Sequence, residues 1–83
     1  MMIQGKTIPA VADAKVTIDR ENKTSLKDRQ PHVVMTDANG YFKYGPVDID
    51  TYQIEVAKDD YIFTKASQDS FDFKALREAR LEV

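Results

Sequence analysis

The chain has no cysteine, no tryptophan and a single histidine, and only three glycines and three prolines, in 83 residues. The missing cysteine excludes disulfides, thiolate metal sites and a cysteine nucleophile. It leaves the compartment open, because a domain with a sufficient core needs no disulfide even outside the cytosol. With His32 alone, a His-based catalytic pair or a zinc site with several imidazoles is impossible within the domain. Without tryptophan there is no broad sugar-stacking platform, and no aromatic-plus-basic stripe of the kind that stacks bases. Gly5, Gly40 and Gly45 stand apart, so no loop cradles a phosphate. No apolar run approaches the ~20 residues that cross a bilayer, and no signal peptide is visible. Twelve basic and fourteen acidic residues are interspersed, for a net charge of -2, which offers no surface for nucleic acid or for direct membrane contact.

Hydrophobic residues make up 42% and charged residues 31%, an ordinary globular balance for one small domain over residues 1–83. The hydrophobic period is two almost throughout. "AKVTID" sets Ala14, Val16 and Ile18 against Lys15, Thr17 and Asp19; "TYQIEVAK" sets Tyr52, Ile54 and Val56 against Gln53, Glu55 and Ala57; "YFKYG" sets Phe42 and Tyr44 against Tyr41 and Lys43. Such alternation predicts strands with one buried and one wet face, in antiparallel sheets. Further strands are expected at Met2–Gln4, "HVVMT", "YIFTK" and "ARLEV", with Leu81 and Val83 inward. Gly5–Pro9, Arg20–Pro31, "GPVDID" and Asp59-Asp60 break the chain between them. Asp72–Arg80 is rich in helix formers and reads as a single helical turn before the closing strand. About seven short strands with a break every ~8–12 residues is the pattern of an all-β, seven-stranded antiparallel β-sandwich. Met1-Met2 runs straight into strand-like sequence, so the chain reads as one domain excised from a larger protein.

Each candidate site has a plain reading beside a chemical one. Asp37, Asn39 and Gly40 resemble part of a calcium loop, but the glycine comes three residues after the aspartate and Asp48 stands where the closing glutamate belongs. A tight turn accounts for every residue: Asp37 caps it and Asn-Gly supplies positive φ. Asp48, Asp50, Asp59 and Asp60 read as solvated turn residues, or as a weak cation site where two strand-end turns meet at one pole. His32, after Pro31 at a strand start, suits an edge role better than a ligand role. Ser25, Ser67 and Ser70 lie in polar loops with no glycine-framed elbow. Asn22-Lys23-Thr24 is a glycosylation sequon in the long polar loop. Tyr44 and Tyr52 fall on inward faces with hydroxyls reaching the edge, whereas Tyr41 points outward beside Lys43. No catalytic residue, metal ligand or cofactor site is expected.

"GKTIPAVADAKVTI", "TDANGYFKYGPV" and "TYQIEVAKDDY" resemble the carboxypeptidase regulatory-like, or transthyretin-like, seven-strand sandwich. Gly5, Ala14, Val16, Thr36, Asp37, Gly40, Phe42, Tyr52 and Tyr61 stand in that family's places, including a Thr-Asp-x-x-Gly-x-Phe hairpin. The fold serves many roles. A narrower stretch, "YFKYGPVDIDTYQIEVAKDDYIFT" followed by "DSFDFKALREARLEV", resembles repeats of the nodal modulator family. That resemblance implies a lumenal array of such sandwiches in a single-pass endoplasmic reticulum membrane protein, with nicalin and translocon-associated machinery as partners. It implies roles in membrane-protein biogenesis, Nodal signalling or receptor assembly, and it places Asn22 in the lumen. Hydroxyisourate hydrolases of this fold need several His and Arg residues and a Tyr-Arg-Gly-Ser end, and isopeptide-forming sandwiches need an asparagine in the last strand. This chain has one histidine, ends Arg-Leu-Glu-Val, and has no asparagine after Asn39.

The expectation is therefore a non-catalytic structural and protein-interaction repeat, with Tyr41, Lys43, Gln53 and Glu55 as its outward contact face and neighbouring repeats among its partners. The alternatives are an accessory domain of an extracellular enzyme such as a metallocarboxypeptidase, a spacer, or a carbohydrate-binding module.

Overall fold

In the computed structural model, which describes residues 1–21, 30–67 and 71–77, the two-residue period becomes seven strands. They are β1 (Ile3–Ile8), β2 (Lys15–Arg20), β3 (His32–Met35), β4 (Tyr41–Tyr44), β5 (Tyr52–Ala57), β6 (Tyr61–Lys65) and β7 (Phe73–Arg77). They form a four-stranded sheet, β4-β1-β7-β6, and a three-stranded sheet, β3-β2-β5. Every ladder is antiparallel except β1–β7, where Thr7 lies opposite Phe73 and Ile8 opposite Lys74 in parallel.

The inward sets meet between the sheets. Ile3, Val16, Ile18, Phe42 and Phe73 form the main buried cluster, with Ile54, Val56 and Phe63 packed against it. Val11, Ala14 and Ala75 form a smaller one nearer the far end. Fully burying each large aliphatic or aromatic side chain contributes about 1.5–3 kcal/mol, and a domain of this size has few of them to lose.

Register places the start of β1, the end of β2, the end of β4 and the start of β5 at one pole, where Val47 N–H donates to the Met1 carbonyl (2.7 Å). The start of β2, the Thr36–Gly40 turn and the end of β7 lie toward the opposite pole. β1 thus starts at one end of the sandwich and β7 stops toward the other.

Three expectations are corrected. The first strand does not stop at Gln4 but runs through Gly5 to Ile8. Glycine marks a close approach there: a Cβ on Gly5 would lie 2.2 Å from the Phe71 carbonyl oxygen and 2.9 Å from the Phe42 ring. Second, Phe73–Arg77 is a strand and not a helical turn. Phe73 and Ala75 are buried on alternate positions, and β7 fills the gap between β1 and β6, so tertiary pairing overrides local helix propensity. Third, the Thr36–Phe42 segment is no hairpin within one sheet, since β3 and β4 belong to different sheets. It is an arch across the top of the sandwich. The expected strand at Ala79–Val83 and the Asn22 sequon lie outside the described residues.

Candidate functional site

The arch is held by backbone and short polar side chains. Asp37 Oδ1 accepts from Asn39 N–H (2.9 Å) and Tyr41 N–H (3.0 Å), and Gly40 N–H donates to the Asp37 carbonyl (2.9 Å). The left-handed residue is Gly40 alone, at φ 78°; Asn39 has negative φ. A Cβ on Gly40 would lie 2.5 Å from Thr7 Oγ1 and 2.9 Å from Ala10 Cα. Beneath the arch runs a buried relay. Ala14 N–H donates to Thr36 Oγ1 (2.8 Å), whose hydroxyl donates to the Val11 carbonyl (2.6 Å), while Val11 N–H donates to Thr7 Oγ1 (2.8 Å). Thr7 and Thr36 are both buried. The turn carboxylate is thus taken up by main-chain donors, as in an Asx turn.

At the opposite pole, the four aspartates do not meet. Asp48 and Asp50 precede β5, whereas Asp59 and Asp60 follow it, so the six-residue strand separates the two pairs. No group of three or more metal-ligating side chains occurs among the described residues. Asp48 and Asp50 instead grip Arg20: Nε donates to Asp50 Oδ2 at 2.7 Å and Nη1 to Asp48 Oδ2 at 3.2 Å. The Arg20 and Asp50 side chains are mostly buried, and Asp48 is exposed. Arg20 and the Thr51 N–H hold the Asp50 carboxyl below its ordinary range, and the Asp50 hydrogen bond raises the guanidinium above its own. Tyr52 Oη donates to the Asp48 carbonyl at 2.8 Å and closes the loop. Beside it, His32 is half-buried and stacks on Tyr44, centroids 5.1 Å apart.

Sequence reasoning placed Arg20 at the start of a polar loop and missed this clamp. Parity held the signal: Arg20 continues the inward series of Val16 and Ile18, and it pairs with Tyr52, just after the two aspartates.

The four outward residues are all exposed, but the fold separates them. Tyr41 and Lys43 lie on β4 in the four-stranded sheet, and Gln53 and Glu55 on β5 in the three-stranded one. They therefore form two faces, one on each side of the sandwich. Tyr41, 52% exposed, lies with Lys43 along an open groove of about 640 Å³ that also takes in Gln4, Lys6, Met35, Asp37 and Asp72. Asp72 accepts from the Lys6 backbone N–H (3.2 Å). Gln53 and Glu55 border a smaller hollow of about 310 Å³ with Lys65 and Phe71. Tyr41 thus presents an exposed aromatic ring beside Lys43 at the groove.

The family model described as "BOS complex subunit NOMO1-like, beta sandwich domain" matches residues 1–76. No curated protein and no solved structure matches the chain. The match takes in every residue of the arch, the Arg20 clamp and the two outward faces. The chain belongs to the NOMO1-like β-sandwich domain family.

Proposed function

We propose that this chain is a non-catalytic repeat of a nodal-modulator-like lumenal array, working as a spacer and protein-contact module within an endoplasmic reticulum membrane complex. The observation that carries the reading is the family match over residues 1–76. The family's name makes its namesake a subunit of a complex, and the matching model is numbered ninth, which supports a series of such domains. On this reading the array supports membrane-protein biogenesis or receptor assembly, with nicalin-like membrane proteins and adjacent repeats as partners.

The Tyr41–Lys43 face is the better of the two contact candidates, because it combines a half-exposed aromatic ring with the larger groove. The test is co-purification from cells expressing the full-length protein. Tyr41→Ala with Lys43→Glu should reduce recovery of a partner several-fold, while Gln53→Ala with Glu55→Lys leaves it unchanged. Equal recovery with both pairs rules out this face.

A further inference from the structure

Of the four strands that end a sheet, β4 carries Lys43, β5 Glu55 and β6 Lys65, whereas β3 (His32, Val33, Val34, Met35) carries no acidic residue, lysine or arginine. Charges on edge strands are the usual protection against edge-to-edge pairing, and β3 lacks it. Val33 and Met35 are 51% and 52% exposed on its outer face.

The direction of the free backbone groups follows from the ladder. Thr36 N–H donates to the Ala14 carbonyl (3.0 Å), one step beyond the Lys15–Met35 pair. Alternation along an antiparallel ladder then turns His32 and Val34 toward β2, and turns the N–H and C=O of Val33 and Met35 to the open side. Among the described residues no hydrogen bond reaches those four groups. The open stretch is bounded at both ends. Pro31 has no N–H, and Asp37 N–H is already given to the Tyr41 carbonyl (2.9 Å). On β4 the N–H and C=O of Tyr41 are likewise taken, both by Asp37.

We propose that the open edge of β3 pairs with β3 of a second copy of this chain, antiparallel about a two-fold axis at Val34. In that register Val33 faces Met35 of the second copy and Met35 faces its Val33. All four open groups of each strand are then satisfied, with two donors meeting two acceptors on each side. The exposed Val33 and Met35 side chains of the two copies gather into one apolar cluster on the outer face, with no charge on either strand to oppose it. The two three-stranded sheets become one of six strands. Strand addition of this kind draws affinity from main-chain bonds, and four residues a side make an interface below about 1,000 Å², which marks a weak and reversible pair.

The test is sedimentation velocity on the 83-residue chain over a wide concentration range. A monomer–dimer equilibrium is expected, weakened about ten-fold or more by Val33→Lys, which sets two like charges near the axis, and unchanged by Ile62→Lys on the outer face of the other sheet. Amide exchange of the unsubstituted chain provides a readout independent of any variant: Val33 and Met35 amides should gain protection as concentration rises. A chain that stays monomeric throughout overturns the proposal. So does self-association that Ile62→Lys abolishes and Val33→Lys leaves intact. Binding of a synthetic Pro31–Asp37 peptide without any dimer of the chain also overturns it, and leaves the edge as a site for foreign strands.

Discussion

The two poles of this sandwich are closed by different physics. The far pole is closed by neutral hydroxyls under a glycine arch: Thr36 and Thr7 satisfy buried main-chain groups of Val11 and Ala14, and Gly40 lets the backbone press against Thr7. The pole where β1 starts is closed by an ion pair, with Arg20 between Asp48 and Asp50 at the mouth of the core. A buried neutral hydrogen bond is costly to orphan and indifferent to salt. An ion pair at the rim, with Asp48 exposed beside the mostly covered Arg20–Asp50 contact, is partly screened and titrates. The two ends should therefore respond oppositely to mutation and to solvent.

The largest expected effect is at the arch. Gly40→Val combines a left-handed backbone position with a Cβ that has no room, and should cost about 2–5 kcal/mol in urea denaturation. Tolerance of valine within a fraction of that would mean the arch can rebuild and the close approach to Thr7 is not needed. Next comes Thr36→Val, which keeps the shape but leaves Ala14 N–H and Val11 C=O without their partner, for about 2–4 kcal/mol; Thr7→Val orphans only Val11 N–H and should cost less. At the pole where β1 starts, Arg20→Gln should lower the melting temperature by less than any of these, and added salt should shrink the gap between wild type and variant. A salt-independent gap would show that the guanidinium acts through packing instead.

The smallest effect is the pH response. Because Arg20 holds the Asp50 carboxyl below its unfolded value, the stabilisation is fully present above about pH 4 and is lost as pH falls through the folded value. Asp50→Asn should therefore lag wild type near neutrality and converge with it in acid. Parallel curves across that range would remove Asp50 as the linked group.

The contrast between the poles also explains what was legible in the sequence. Strands with strict alternation, such as Ala14–Asp19 and Thr51–Lys58, revealed their faces because a two-residue period maps directly onto burial. Phe73–Arg77 did not, since Ala, Leu and Lys favour helix locally and only pairing with β1 and β6 makes it a strand. The arch announced itself through Asp37 and Gly40, whose roles are local. The Arg20 clamp joins residues 28 and 30 positions apart, and no local rule reaches that far. Parity alone could not show that Tyr41 and Gln53 lie on opposite sides, because side depends on which sheet each strand joins.

The contact reading is tested most directly by crosslinking mass spectrometry of the full-length protein in detergent-solubilised microsomes, following Lys6 and Lys43 along the groove and Lys65 at the hollow beside Gln53 and Glu55. The reading requires crosslinks from Lys6 or Lys43 to a different protein. Crosslinks confined to neighbouring domains of the same chain, with those lysines well covered, would contradict it and leave this domain a spacer.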